Sequence, residues 1–259
     1  PSVKARRMLS AVEGKERLRV FRADMAEEGS FDDAIIGCAT LFHVAASMDL
    51  HLSPDQHDAE ERVRSQVLEP ATRGTINVLR SCVRAGTVRR VVFTSSVSTL
   101  AAAGSEGSVV DESCLRDLGD VWATKPIGWV YILSKRLAEE AAFGFARENG
   151  LRLVSVVLPT VAGDPKLCAL LASVHARFGC VPLAHVQDAC DAHLFLADAP
   201  AAEGRFGDDL DGASPASQVS SKRLLDLGFR FGHDAGDILR DAVAQCVDHG
   251  FLEPPGGCD

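Results

Sequence analysis

An α/β protein built on a doubly wound, largely parallel sheet is what this sequence predicts, and three observations carry the prediction. Short apolar runs alternate along the chain with segments of helical length and period. Several of those runs (LRVFRAD, LFHVAAS, VVFTSS, VVLPT) stop in polar or hydroxyl residues, as strands do where they emerge from a buried sheet. The 259 residues are 46% hydrophobic, enough to bury a large core as one domain or as one domain with a lobe. In such a sheet the crossovers are right-handed and ligands sit outside the carboxyl ends of the strands.

The opening PSVKARRMLSAV is basic but lacks the apolar stretch of a secretory signal, so it reads as an amphipathic helix. It starts at Pro1 without a methionine, and a missing beginning is expected. Residues 18–24, LRVFRAD, alternate and stop at an aspartate, which predicts a strand. In GSFDDAIIGC, Ser30 is placed as N-cap before an acidic first turn, giving a short helix near 30–37. TLFHVAAS predicts a buried strand. After the polar MDLHLSPDQHDAE, a long helical segment runs from about 59 to 85, interrupted near Pro70 and closed by Gly86. VRRVVFTSS, rich in β-branched residues, predicts the next strand.

Residues 97–126 show no period and read as a long loop. YILSKRLAEEAAFGFARENG predicts a strong helix stopped at Gly150, and LRLVSVVLPT predicts another strand. Beyond Gly163 come a helix near 165–177, a strand at VPLAHV and a helix at DACDAHLFLADA, then helices near 220–227 and 234–249. GRFGDDLDGASPAS and the tail EPPGGCD read as a loop and a frayed end.

A formal net charge of -9 and a pI near 5.4 argue against nucleic acid or an anionic membrane as the main partner. No apolar run reaches the length of a membrane span. The eight cysteines never form a C-x-x-C pair, and they are expected to be reduced, small core residues of a cytoplasmic protein. H-E-x-x-H and G-x-S-x-G are both absent, so metalloprotease and serine-hydrolase chemistry have no support. In AHVQD, His185 and Asp188 stand at a strand-to-helix junction, where an N-cap plus a packed histidine is favoured over catalysis.

Chemistry concentrates at YILSK. Tyr131 is the only tyrosine, and Lys135 follows it by four residues, on the same face of a helix. A nearby ammonium favours the ionised phenol and lowers its pKa, making tyrosine a usable proton donor near neutrality. Upstream, VVFTSS places Ser95 and Ser96 at a strand's carboxyl end; downstream, VVLPT ends in Pro159 and Thr160. A serine hydroxyl there can polarise a carbonyl while the tyrosine protonates the developing alkoxide. Hydride must come from a cofactor, because no side chain supplies it.

Ser96, Tyr131 and Lys135 resemble the serine–tyrosine–lysine triad of extended short-chain dehydrogenase/reductases. FRADMAEEGSFDDAIIGC, LFHVAASMD, VLEPATRGTINVLRSCVRAGTVRRVVFTSS, DESC, YILSKRLAEEAAF and AHVQDACDAHLFL are similar to the plant dihydroflavonol reductase, anthocyanidin reductase and cinnamoyl-CoA reductase group. The likeness spans most of residues 1–206 and resumes at SSKRLLDLGFRF. It implies a Rossmann-type sheet, NADP (NADPH) as cofactor and a small phenolic substrate. It further implies Tyr131 as general acid, Ser96 on the substrate oxygen, and Lys135 on the nicotinamide ribose. Asp24 and Met25 would flank the adenine, and Val44, Ala45 and Ala46 would line the cofactor channel. Pro159, Thr160 and Val161 would pass under the nicotinamide, and Lys4 matches a position that approaches the 2′-phosphate.

The same resemblance exposes departures. The family opens with strand, glycine-rich turn, helix and strand, and its glycines let backbone approach the pyrophosphate. No G-x-G-x-x-G or G-x-x-G-x-x-G occurs here. An N-terminally truncated dinucleotide-binding domain is therefore expected over 1–163, with LRVFRAD losing its neighbour in the sheet. A reduced substrate lobe, interleaved with the main domain, is expected over 164–259, because two segments usual in that lobe are shortened after VLPTVAG and after AEGRF. Ala101 and Pro182 stand where dihydroflavonol reductases carry asparagine and glutamine, which makes a polyhydroxylated dihydroflavonol a poor match, while GDPKLCALLASVHARFGC and Ala101 lean toward anthocyanidin reductase-like members. Two alternatives stay open: a truncated non-catalytic homologue, and a sugar-nucleotide epimerase of the same superfamily.

Overall fold

A computed structural model describes residues 17–46, 59–100, 109–161, 182–200, 202–207 and 218–248. Among the described residues four parallel strands form the main sheet: β1 (Thr40–His43), β2 (Arg90–Ser96), β4 (Leu153–Leu158) and β7 (Gly204–Gly207), paired in that spatial order. The smaller pairs are β3 (Val109–Val110) with β8 (Gln218–Val219), and β5 (Thr160–Val161) with β6 (Leu183–Ala184). The helices are α1 (Asp32–Ile35), α2 (Ala59–Val63), α3 (Glu69–Ala85), α4 (Leu118–Thr124), α5 (Trp129–Glu148), α6 (Val186–Asp198), α7 (Lys222–Asp226) and α8 (Ala235–Asp248).

The sheet is covered on both faces because its strands are apolar on both. Along β2, Val91 and Phe93 join Leu79 of α3 and Ala138, Ala142 and Ala146 of α5 in one cluster. Val92 points the other way, with Val154 and Val156, into a cluster with Ala192 and Leu196 of α6. That alternation is the period of two expected of a strand, here apolar at both phases. Arg90 is buried at the start of β2 because its guanidinium donates to the carbonyls of Ala199 (2.8 Å) and Ala202 (2.7 Å), just past α6.

Several elements differ from the sequence-based expectation. LRVFRAD is not a strand; Leu18, Val20 and Phe21 are 44–53% exposed on irregular backbone. Alternation supplies the faces of a strand but not its partner, and among the described residues only β2 pairs with β1, leaving no neighbour for this segment. Ser30 does not cap α1. Phe31 holds that position without a side-chain bond, while the Ser30 hydroxyl accepts from the Asp24 amide at 2.7 Å.

The loop expected over 97–126 contains α4, capped by Asp117, whose carboxylate accepts from the Asp120 amide at 2.9 Å. GRFG is a strand of the main sheet and not a loop, held by backbone pairing to β4 rather than by β-forming side chains. Around Pro70 the long helical segment does not break: a π-helical stretch, Arg64–Leu68, precedes α3 and places proline in its first turn. The strand at VPLAHV shrinks to two residues, and α6 starts earlier than expected, at Val186. Of the cysteines, Cys82 is buried, its thiol pushed up to about 12 by desolvation, whereas Cys190 is exposed and is not a core residue. The expected helices at the opening and near 165–177 lie outside the described residues, as do Lys4, Ala101 and the tail. Among the described residues no helix is long and apolar enough to cross a membrane.

Candidate active site

β2 and β4 run in register, Ser96 opposite Leu158, so their carboxyl ends present Ser96 and Pro159 at one edge of the sheet. Ser96 leaves the strand and caps the following 3₁₀ turn, its hydroxyl oxygen accepting from the Ser98 amide (3.3 Å) and the Ser98 hydroxyl (3.1 Å). α5 enters over these strands through Gly128, whose φ of 77° is open to glycine and strained for other residues. That entry puts Tyr131 in the first turn of α5, with its phenol beside the Ser96 hydroxyl.

One turn further on, Lys135 is buried and its Nζ donates to the Thr94 carbonyl at 2.7 Å, 5.6 Å from the centre of the Phe93 ring. Desolvation pulls the Lys135 ammonium down to about 8, with the Glu139 charge opposing. The expected lowering of the Tyr131 pKa by this cation is not what the geometry produces. Burial pushes the phenol up, the neighbouring Ser96 hydroxyl pulls against it, and the ammonium is spent on the Thr94 carbonyl.

Beside Lys135 opens a cavity of about 280 Å³ lined by Asp24, Met25, Ala45 and Ala46, and also by Gln66, Thr75, Phe93 and Ser134. Five of the residues named from sequence thus meet in one place. Val44 does not join them: it is 59% exposed. Pro159 and Thr160 are buried, and Thr160–Val161 pairs with Leu183–Ala184, the Thr160 amide bonding the Pro182 carbonyl at 3.1 Å.

Gln66 and Thr75 were not anticipated. They are polar residues on the long helical segment, and the π turn that rotates one face toward the cavity leaves no signature in the sequence. The Asp24–Met25 wall is fixed from α3. Asn77, buried, donates to the Met25 carbonyl at 3.0 Å, and Met25 lies so close over Gly74 that a Cβ there would stand 3.1 Å from Met25 Cβ.

His185 and Asp188 keep the structural reading. His185 is the N-cap of α6, accepting from the Gln187 amide at 3.1 Å, and it stacks on His233 with ring centres 3.7 Å apart. Asp188 accepts from the amides of Gly232 and His233, tying the approach to α8 onto α6.

A parallel sheet wound on both faces, with a serine, tyrosine and lysine at its carboxyl edge, defines a Rossmann-type domain of the short-chain dehydrogenase/reductase kind. The chain belongs to the NAD dependent epimerase/dehydratase family, whose model matches residues 2–208. It is 34% identical to the dihydroflavonol 4-reductase of Solanum lycopersicum, over 94% of this chain and 72% of that protein. To a putative anthocyanidin reductase of Ginkgo biloba it is 32% identical, over 96% of this chain and 85% of the relative. Among solved structures, vestitone reductase from alfalfa (Medicago sativa L.) superposes with a TM-score of 0.74 at 27% identity, covering 92% of this chain and 84% of that one. The resemblance to the plant reductase group is therefore borne out.

Proposed function

We propose that this chain is a cytoplasmic NADPH-dependent reductase of a flavonoid or related phenylpropanoid, with Tyr131 as its general acid. The observation that carries the reading is the Tyr131 phenol beside the Ser96 hydroxyl, one helical turn from a buried lysine that lines a cavity. The residues present fit the adenosine and nicotinamide ends of the cofactor: Asp24, Met25, Ala45 and Ala46 would frame it, and Lys135 would hold ribose hydroxyls. Bound there, reduced nicotinamide supplies the hydride. Ser96 orients the substrate oxygen. Tyr131, which burial keeps protonated, donates the proton to that oxygen as charge develops on it.

The second reading is a non-catalytic homologue with impaired cofactor binding. An NADPH titration followed by cofactor fluorescence separates the two, with circular dichroism confirming the fold. Saturable binding at micromolar concentration, followed by turnover of a phenolic carbonyl, is expected of the reductase. A folded chain that binds no NADPH decides for the second reading. In the same titration Asn77→Ala is expected to weaken NADPH about tenfold, since a buried carbonyl behind Met25 loses its donor and the cavity wall loosens. Unchanged affinity would show that the Met25 wall does not contact the cofactor.

A further inference from the structure

A buried carboxylate with no part in the chemistry above stands one turn beyond Lys135. Glu139 is 0% exposed, on the face of α5 that lies against the sheet. Its Oε1 accepts from the Ser155 hydroxyl of β4 at 2.5 Å, and its Oε2 lies 3.1 Å from Nε of Arg205 on β7, an ion pair rather than an aligned hydrogen bond. The Arg205 guanidinium is held in turn over the Phe143 ring, 4.8 Å from its centre. Phe93 and Ser155 are register partners, so Lys135, above Phe93 and Thr94, and Glu139, above Ser155, address adjacent strands. An apolar residue of similar size would fill the site of Glu139 at less desolvation cost.

We propose that Glu139 is a positioning residue acting through Lys135: its buried charge keeps the lysine an ammonium at the site, and Arg205 limits how strongly it does so. The proposal rests on the reductase reading for its consequence in turnover, but not for its physical content. The other titratable groups around Lys135 are His43 on β1, Tyr131 on α5 and Asp24 across the cavity. β2 faces it with Thr94 and Phe93, and α3 with Thr75, none of which titrates. Removing the Glu139 charge leaves desolvation unopposed and brings the Arg205 charge to bear on the ammonium. Removing the Arg205 charge leaves the Glu139 charge with Lys135 as its cation. The two changes push the Lys135 titration in opposite directions, which a general loosening of the core cannot do.

The test is an NMR titration of the purified chain carrying 13C-labelled lysine, the Lys135 signal assigned by its loss in Lys135→Arg. In the wild type the midpoint is expected at about 8. Glu139→Gln should lower it by about one pH unit and Arg205→Gln should raise it. Shifts in the same direction, or no shift in either variant, overturn the proposal. If Glu139→Gln does not fold, Arg205→Gln decides alone, and a midpoint that fails to rise is fatal. In turnover, the alkaline limb of the kcat/KM profile should follow the Lys135 midpoint in each variant. A wild type that turns over no carbonyl refutes the reductase reading while the NMR titration still judges Glu139.

Discussion

Tyr131→Phe is expected to lower carbonyl reduction by about 10²–10⁴-fold while circular dichroism and NADPH affinity stay close to wild type. The size of the effect follows from what the phenol alone supplies. At the carboxyl edge of the sheet it stands beside the Ser96 hydroxyl, and burial holds it protonated. Reduction places negative charge on the substrate oxygen, and the phenylalanine variant has no proton to give it there. The ring, its rotamer and its packing in the first turn of α5 all survive the change, so the fold has little reason to respond. KM should move less than kcat, because the lost interaction strengthens only as charge develops. Turnover that survives in Tyr131→Phe would remove Tyr131 from the mechanism and leave Ser96 and water as the proton source.

The second large effect concerns acid. His43 ends β1 with its ring stacked on Phe93, centres 5.0 Å apart, and neither ring nitrogen has a hydrogen-bond partner among the described residues. Desolvation pulls its imidazole down to about 4, with the Lys135 charge adding to the effect. In the unfolded chain the same group titrates near 6.5. Between those values the unfolded chain binds the proton and the folded chain does not, so stability is lost as pH falls from 6.5 toward 4. The loss attributable to this residue is about 3 kcal/mol near pH 4. His43→Phe keeps an aromatic ring against Phe93 and removes the titration. Urea unfolding at neutral pH and near pH 4 should therefore show a much smaller acid loss in the variant. Equal losses in the two proteins would place the acid sensitivity in the carboxylates.

Much of the candidate site was legible in the residues because its chemistry is local. Tyr131 and Lys135 share a face by helical geometry alone, and Ser96 announces itself as a hydroxyl closing a β-branched run. The Asp24–Met25 and Ala45–Ala46 segments were placed by ordered likeness to a family, and one cavity receives them all. The sign of the lysine's effect on the phenol is something that spacing cannot encode. Four residues apart on a helix says that two groups are neighbours, but whether the ammonium serves the phenol or a strand carbonyl depends on what lies beneath it.

By itself the sequence determined the alternation of helix and strand, the apolar runs buried on both faces of the sheet, and the shared helix face of Tyr131 and Lys135. These follow from periodicity and from side-chain chemistry carried on single elements. Only the tertiary structure decided which runs became strands and which polar residues became buried. LRVFRAD alternates well and stays irregular, whereas GRFG has little strand character and completes the main sheet, since a strand exists through the backbone of its neighbour. The same holds for Glu139 and His43. His43 lies in a run read as a buried strand, but nothing in the sequence says that its ring nitrogens go without partners among the described residues. Glu139 has the sequence context of a surface residue, and it is the packing of α5 on the sheet that takes water from it and gives its charge reach.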